Sequence, residues 1–390
     1  MKLVISSAVR TPLGAFQGAF ASLPAARLGA AAVAGAVERA GVANDAVDLV
    51  LMGNVLQAGQ GQAPARQAAI YAGLTRSTPA VTINKMCGSA LEAVIQAGRA
   101  ISVGDAQVVV AGGMESMTNA PYLVPGARAG LRLGDAKLID SMIHDGLWDV
   151  YGDKHMGSCA ELCATKYDFT REEQDEFAKR SYTRAQNAGE DGTFAAEIVP
   201  VEVPGRRGTV VVERDEGPAQ ADFEKMARLR PAFEKEGTIT AANASTLNDG
   251  AAALVITSEE VAAARGMPVL ATIEGWAGFA MEPEWFTLAP LGAMHKLFER
   301  TGWGADSVDL FEVNEAFSVV PMAVMREFGI GPDVMNVHGG AVALGHPIGA
   351  SGARILVTLL NALKLKGKKR GVASICIGGG EGQALGLELV

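Results

Sequence analysis

The amino-acid sequence predicts an α/β protein in which one α/β unit occurs twice and a further segment is inserted between the copies. The chain has 390 residues, more than the roughly 250–300 at which a single hydrophobic core stops growing, and 49% of them are hydrophobic. Residues 41–55 and 302–316 align without gaps, with Gly, Asp and Val-Asp-Leu in register. A repeat of this size in alternating strand and helix patterns indicates two layered cores.

Each copy is predicted to run in the order helix, strand, strand, helix, strand, on the basis of apolar runs and helical periodicity. The first copy has a strand over 81–84, a helix over 91–101 and a strand over 107–111; the second has a strand over 334–337, a helix that ends at Leu360 and a strand over 371–377. Cys87 precedes the helix of the first copy, and His346 precedes that of the second. Two-fold packing of the copies is therefore expected to bring these two side chains together over one pocket.

The segment between the copies is richer in charge and in capped helices. Thr170 and Glu173 form a capping-box pattern that opens a helix predicted to end at Gly189. The apolar run 250–256 then predicts a buried strand that returns to the first core. The predicted domains are a first core over 1–118 and 249–268, an inserted domain over 119–248 and a second core over 269–390.

Charge and cysteine content exclude several classes of protein. The net charge is −9, without a long block of Lys or Arg, which argues against binding to nucleic acid or to membrane surfaces. No apolar run approaches the 18 residues of a membrane span, and the first residues read as a strand rather than a signal peptide. Four cysteines in a chain of this length predict free thiols and a cytoplasmic location.

Cys87 is a candidate nucleophile because it lies where a β-rich run turns into a helix. Backbone N–H groups and the positive end of the helix dipole are expected to lower the pKa of a thiol in this position. The competing interpretation is a small buried hydrophobic residue, which most free cysteines are.

His346 and Cys376 are the candidate proton carriers. His346 lies in a Gly-rich stretch, and its place in the repeat suits a base that takes the proton of a thiol. Cys376 is predicted to close the last strand, and the glycines after it allow a turn that exposes N–H donors to an oxyanion. A structural loop histidine and a core cysteine are the alternatives. Asn314 and Glu315 follow a predicted strand, where the Asn can only orient other groups.

Two further motifs are weaker. Residues 59–63 resemble a fragment of a dinucleotide loop, but no complete Gly-x-Gly-x-x-Gly or phosphate loop follows the first strand. His155, Cys159 and Cys163 share one helix face and offer three metal ligands, yet no fourth ligand is evident. Core packing of the two cysteines is favoured, and no metal is expected.

Four segments together resemble the signature blocks of the thiolases. They are Asn84-Lys85-Met86-Cys87-Gly88-Ser89, Asn314-Glu315-Ala316-Phe317, Asn336-Val337-His338-Gly339-Gly340-Ala341 continuing through Gly345-His346-Pro347-Ile348-Gly349-Ala350-Ser351-Gly352, and Cys376-Ile377-Gly378-Gly379-Gly380. The resemblance covers essentially the whole chain. It implies a five-layer αβαβα fold with two duplicated cores and an inserted loop domain that covers the active site and binds coenzyme A.

The resemblance also implies a role for each site residue. Cys87 is expected to be acylated, His346 to activate it, and Cys376 to move a proton at the methyl group of a second acetyl thioester. A water on Asn314, together with His346, is expected to stabilise the enolate, and the N–H groups of Cys87 and Gly378 the tetrahedral oxyanion. The implied reaction is a reversible ping-pong condensation of two acetyl-CoA to acetoacetyl-CoA and CoA, without a cofactor.

Substrate contacts follow from the same resemblance. The expected contacts with the acyl group and CoA are His155, Met156, Leu229, Phe233, Ser245 and Phe317, and the expected phosphate contacts are Lys225, Arg228 and Arg230. Two segments, Cys87-Gly88-Ser89 and His155-Met156-Gly157, are similar to the short-chain branch, in which the Met closes the acyl pocket. Ala90, Ala242 and Thr246 stand where the family usually has Gly, so a broader 3-ketoacyl-CoA thiolase is a close alternative.

Two other functions remain as alternatives: a non-catalytic acyl-CoA-binding relative and a decarboxylating condensing enzyme. A pair of cysteines with one histidine favours the thiolase over both. The family resemblance further implies a homotetramer, and the excursion over 121–142 is a candidate assembly element.

Overall fold

The computed structural model describes residues 1–206 and 208–390. Its strands, in chain order, are β1 Leu3–Arg10, β2 Gly14–Ala15, β3 Leu49–Gly53, β4 Ala80–Ile83, β5 Val108–Ser116, β6 Tyr122–Leu123, β7 Ile139–Asp140, β8 Trp148–Asp149, β9 Lys154–His155, β10 Val201–Gly205, β11 Gly208–Val212, β12 Asn248–Ser258, β13 Ala271–Ala280, β14 Leu310–Val313, β15 Arg370–Ile377 and β16 Glu381–Leu389. Its helices are α1 Ala25–Ala40, α2 Pro64–Tyr71, α3 Ser89–Ser102, α4 Ser141–Gly146, α5 Met156–Lys166, α6 Arg171–Glu190, α7 Phe223–Met226, α8 Glu259–Arg265, α9 Ala289–Thr301, α10 Val319–Phe328, α11 Ala341–Leu344 and α12 Ser351–Lys366.

The two copies of the repeat form two half-sheets. The first has the order β1-β12-β5-β3-β4, with β2 paired to β12, and the second has the order β14-β15-β16-β13. β1 and β13 pair antiparallel over only two residue pairs, Val4 with Thr272 and Ile5 with Ala271, which joins the half-sheets into one continuous sheet. Each copy has a short 3₁₀ turn, Asn44–Ala46 in the first and Ala305–Ser307 in the second. The strands that follow these turns, β3 and β14, pair parallel with their neighbours.

Alternation of side chains along the strands builds five layers. On β5, Val108 and Val110 pack outward with α1 and α2, whereas Val109 and Ala111 pack inward with α3 and α12. α3 and α12 lie between the half-sheets, since the core around them takes residues from both. α9 and α10 cover the outer face of the second half-sheet. The predicted αβαβα arrangement is confirmed.

The repeat extends to individual hydrogen bonds. The carboxylate of Asp48 accepts the N–H groups of Gln107 and Val108 at 2.8 and 2.9 Å, where β5 begins. Asp309, its counterpart, accepts the N–H groups of Lys369 and Arg370 at 3.0 and 2.9 Å, where β15 begins. Each aspartate satisfies two donors at a strand end that would otherwise lack partners.

Two predictions about the second copy are wrong. Residues 334–337 form no strand: one bridge joins Phe311 to Met335, and the side chain of Asn336 pairs with the N–H and C=O of Val313 in place of backbone. Cys376 is not in the last strand, because β16 follows β15. A tight turn joins the two strands, and it needs the positive φ angles of Gly379 and Gly380, 92° and 84°.

The segment between the cores carries short hairpins and the helices α4–α7. The capping box of α6 is present, with Glu173 N–H donating to Thr170 Oγ1 at 3.1 Å and Thr170 N–H donating to Glu173 at 2.8 Å. β12 then lies between β1 and β5, in the middle of the first half-sheet. The domain boundaries themselves stay a prediction. Among the described residues, no helix is both long and apolar enough to cross a membrane.

The Gly113→Ala variant tests how closely the central layer is packed. A Cβ atom at Gly113 would overlap the carbonyl oxygen of Gly349, which is backbone and cannot swing aside. We expect the variant to lose about 3 kcal/mol of stability, the upper range for overpacking a core, measured by chemical or thermal unfolding. Gly189→Ala is the control, because this exposed helical glycine has open space around it and alanine favours helix. Equal stability of the two variants would contradict the packing described here.

Candidate active site

A cavity of about 600 Å³ lies where the inserted segment meets both cores. Cys87, His346 and Gly378 contribute to its lining, together with residues of the insert. Much of the remaining wall is apolar and includes Met117, Met142, Leu147, Met156, Phe233, Phe286, Phe317 and Ile348. A concave, mostly apolar site with a few convergent polar groups is typical of a small-molecule pocket.

Cys87 lies in the turn that leads into α3. Its side chain is half-buried, because the cavity reaches it on one side and protein surrounds it on the others. Burial raises the pKa of the Cys87 thiol to about 11, although the N–H groups of Gly378 and of Cys87 itself act to lower it. The expected lowering of this pKa is therefore wrong: the loss of water outweighs the N–H groups at the helix start. The same two N–H groups lie beside the Cys87 sulfur, next to the place where a carbonyl attacked by that sulfur would develop negative charge.

His346 presents one ring nitrogen to the site without a partner. Its Nδ1 lies 2.6 Å from Ser351 Oγ, and that hydroxyl donates its single proton to Pro347 O at 2.9 Å. Nδ1 therefore carries the ring proton, and Nε2, buried and without a hydrogen bond among the described residues, is free to accept one. Burial, with a smaller contribution from the Arg354 cation, lowers the pKa of His346 to about 3. The imidazole is neutral at physiological pH.

Asn314 and Cys376 complete the group. Asn314 follows β14, and its Nδ2 lies 3.5 Å from His346 Nδ1, while its buried Oδ1 accepts no hydrogen bond within the described chain. Cys376 is fully buried on β15, close enough to Cys87 for the two thiols to interact electrostatically. Burial, with the nearby Cys87, raises the pKa of Cys376 well above its ordinary value. The four residues predicted to be catalytic thus lie together.

Most of the predicted substrate contacts line the cavity. His155 and Phe233 stack with their ring centroids 4.7 Å apart, and Phe317 meets Phe233 edge-on at 6.0 Å. Met156 and Ser245 also line the cavity. Leu229 does not belong to this wall: it lies beyond α7, where its carbonyl accepts a hydrogen bond from Arg171 at 3.0 Å. Lys225, Arg228 and Arg230 are exposed on the same segment.

The residues considered for a metal site point in different directions. His155 lines the cavity, and its Nδ1 accepts the N–H of Gly157 at 3.0 Å. Cys159 and Cys163 are buried in the core under α5, where burial raises the pKa of their thiols to about 11 and 12. Protonated thiols are poor metal ligands. Within 1–206 and 208–390 no group of three metal-ligating side chains occurs.

The three departures from the family pattern fit the structure in different ways. Ala90 is fully buried, and its methyl group occupies space that Gly113 leaves open. Thr246 lines the cavity, where its hydroxyl donates to Asn248 at 2.7 Å and its carbonyl accepts the N–H of His346 at 3.2 Å. Ala242 packs, partly buried, against the core of the insert.

Sequence reasoning missed Glu115 and the role of Ser351. Glu115 is fully buried at the end of β5, and its carboxylate accepts the N–H groups of Val55, Leu56 and Gly349 at 3.0, 3.2 and 2.9 Å. Burial raises the pKa of this carboxyl to about 7 despite those donors. Gly349 belongs to the loop that carries His346. An acid that directly follows a run of apolar and glycine residues, 108–114, is the sequence feature that could have drawn attention to Glu115.

The chain resembles known proteins over its full length. The model of the thiolase N-terminal domain matches residues 3–260, and that of the C-terminal domain matches residues 267–389. An acetyl-CoA acetyltransferase of Cupriavidus necator is 52% identical over 388 residues, covering 99% of each chain. One of Pseudomonas aeruginosa is 51% identical, covering 99% of this chain and 98% of its own.

Its structure has close counterparts as well. The crystal structure of Acat5 thiolase from Ascaris suum in complex with coenzyme A matches with a TM-score of 0.95 at 44% sequence identity, covering 100% of both chains. Both the sequence blocks and the five-layer fold therefore lead to one family, as the resemblance predicted. The chain belongs to the thiolase family.

Proposed function

We propose that the protein is an acetyl-CoA C-acetyltransferase that condenses two acetyl-CoA reversibly to acetoacetyl-CoA and CoA. The observation that carries the proposal is that Cys87 and His346 line one cavity, while the buried thiol of Cys376 lies close to Cys87. Nε2 of His346 makes no hydrogen bond among the described residues and can accept the proton of a thiol. The relatives at about 50% identity carry the name of this activity, and one related structure contains coenzyme A. A carrier protein would have no need of two thiols and a base.

In the first half-reaction, Nε2 of His346 takes the proton of Cys87 as the sulfur attacks the thioester carbonyl. A neutral imidazole and a protonated thiol are the starting states that burial favours at this site. The N–H groups of Cys87 and Gly378 then stabilise the oxyanion, and each such donor contributes about 3–4 kcal/mol in comparable sites. CoA leaves as a thiolate, and acetyl-Cys87 remains.

In the second half-reaction, Cys376 moves the proton of the incoming methyl group. Because burial keeps Cys376 protonated at rest, it can first give its proton to the departing CoA thiolate and then act as the base. The enolate oxygen is held by Nε2–H of His346 and by a water on the free Oδ1 of Asn314. The enolate carbon attacks acetyl-Cys87, and the Cys87 sulfur leaves.

The side chains around the acyl site support a short-chain substrate. Met156 is buried, and Met117, Met142 and Ile348 close the wall near Cys87 with bulky apolar groups. Lys225, Arg228 and Arg230 offer exposed cations for the CoA phosphates. A broader 3-ketoacyl-CoA thiolase is the second candidate, since Thr246 departs from the family pattern in the same cavity.

We also propose a homotetramer in the cytoplasm. The excursion between residues 121 and 142 carries Leu133, which is fully exposed, and Leu131 and Leu138, which are more than half exposed. Apolar side chains at such exposure are expected to be covered by a second copy of the chain. The four free thiols support a reducing compartment.

The function is tested by incubating the protein with acetyl-CoA and by measuring thiolysis of 3-ketoacyl-CoAs of increasing length. We expect an acetyl adduct on Cys87, identified by peptide mass, which Cys87→Ala abolishes. Cys376→Ser should still be acylated slowly but lose condensation by about 10²–10⁴-fold, the usual contribution of a proton transfer. No adduct on Cys87 would refute the activity, and equal rates on C4 and long chains would refute the short-chain assignment.

The pH dependence of Cys87 alkylation checks the proton states of the site. Because burial raises the pKa of Cys87 to about 11, its thiolate fraction grows as pH rises and approaches a plateau only near that value. We expect the rate of iodoacetamide labelling at Cys87 to climb about tenfold per pH unit between 7 and 10. Peptide mass separates Cys87 from the buried thiols. A plateau below pH 8 would instead show the lowered pKa first expected at the helix start.

The assembly is tested by Leu133→Asp. A carboxylate in a buried contact between subunits is costly, so we expect the tetramer to dissociate into smaller species in light scattering coupled to size exclusion. Leu365→Asp is the matched control, because Leu365 is also exposed but lies near the end of α12, outside the excursion. A tetramer that persists in the Leu133 variant would contradict this role of the excursion.

A further inference from the structure

We infer that Glu312 is a positioning residue that acts on the catalytic pair Asn314 and His346 through Arg354. Glu312 and Asn314 are two residues apart where β14 ends, so they lie on the same face, toward the central layer. Phe311 and Val313 pack on the opposite face with the outer core. Ser351 and Arg354 are three residues apart on α12, so they share the helix face toward β14.

Two contacts therefore join β14 and the residue that follows it to α12. We call the contact at Asn314 the upper one and the contact at Glu312 the lower one. In the upper contact, Asn314 Nδ2 lies 3.5 Å from His346 Nδ1, which is held by Ser351 Oγ at 2.6 Å. In the lower contact, Arg354 Nη1 donates to Glu312 Oε1 at 2.6 Å, and both side chains are almost completely buried. The ion pair thus fixes how α12 lies on β14 directly below the catalytic groups.

The ion pair between Glu312 and Arg354 holds β14 and α12 together at a considerable cost in desolvation free energy. Taking two charges out of water offsets most of their attraction, and a buried pair is often no more stabilising than apolar residues of the same volume. Arg354 Nε and Nη2 make no hydrogen bond within the described part of the chain, so Glu312 is its direct carboxylate partner there. Geometric control of the site is a use of this pair that apolar packing would not provide.

The pair also affects the charge that His346 must carry. When Nε2 takes the Cys87 proton, an imidazolium forms in a buried site, and the cation of Arg354 opposes it. Burial raises the pKa of Glu312 to about 8, against the lowering effect of the Arg354 cation, and the ionised form of Glu312 offsets that cation. The carboxyl groups of Glu315 and Glu197 also act electrostatically to raise the pKa of Glu312. Weakening the contact between Glu312 and Arg354 would therefore let α12 shift on β14, and it would leave more of the Arg354 charge to oppose proton transfer to Nε2.

Glu312→Gln tests this role against Glu197→Gln as the matched control. Glu197 is likewise buried and accepts a hydrogen bond from a buried arginine, Arg10, at 2.5 Å. It also accepts hydrogen bonds from the side chains of Thr358 and Asn361 on α12. At pH 9, above the pKa of about 8 that burial gives Glu312, we expect Glu312→Gln to lower kcat about tenfold. KM for acetyl-CoA should stay within about twofold, because substrate contacts are unchanged. Glu197→Gln should leave both within about twofold, and Glu312→Asp should recover part of the lost kcat.

The kinetic test rests on the proposed function. A second measurement, the rate of thiol labelling, does not. Iodoacetamide labelling of Cys87 in the free enzyme at pH 9, where Glu312 is ionised, should slow about tenfold in Glu312→Gln and less than twofold in Glu197→Gln. If the wild-type enzyme fails to turn over acetyl-CoA, the proposed function fails, and the labelling rates still decide this inference. Wild-type labelling and kcat in Glu312→Gln, or an equal loss in both glutamine variants, would overturn it. Should Glu312→Gln not fold, wild-type labelling in Glu312→Asp would overturn it equally.

Discussion

The site depends on one buried carboxylate that joins the two halves of the molecule. Glu115, at the end of β5 in the first half, accepts N–H groups from Val55 and Leu56 of that half and from Gly349 of the second. Gly349 lies in the loop between His346 and α12, so this contact helps to place His346 of one copy at the same cavity as Cys87 of the other. The loop packs so closely that a Cβ atom at Gly349 would lie 2.8 Å from both Glu115 Oε2 and the Cα atom of Asn54.

Burial sets the chemistry of the groups that this junction assembles. It raises the pKa of both thiols and lowers that of His346, so all three are neutral before substrate arrives. A neutral base beside protonated thiols avoids the cost of isolated charges in a buried site. Charge then develops only as protons move, beside the N–H groups of Cys87 and Gly378 that contact the Cys87 sulfur.

The inserted segment is held to the cores by polar contacts as well as by packing. Arg10 at the end of β1 is fully buried between Glu197 and Asp215 of the insert, at 2.5 and 2.7 Å. Glu197 also accepts from Thr358 and Asn361 on α12. One ionic cluster thus ties the insert, the first half-sheet and the central helix of the second half together.

The sequence by itself determined the repeat, the layered α/β class and the positions of Cys87, His346, Asn314 and Cys376, because apolar periodicity and the glycine-flanked motifs are local patterns. It did not determine proton states: the pKa of Cys87 moves in the direction opposite to the one that the helix start suggested, since burial depends on residues distant in the chain. The strand expected near Asn336, the extra strand after Cys376 and the parts played by Glu115, Ser351 and Arg354 were likewise decided by the tertiary structure. Each depends on a contact between segments that only folding brings together.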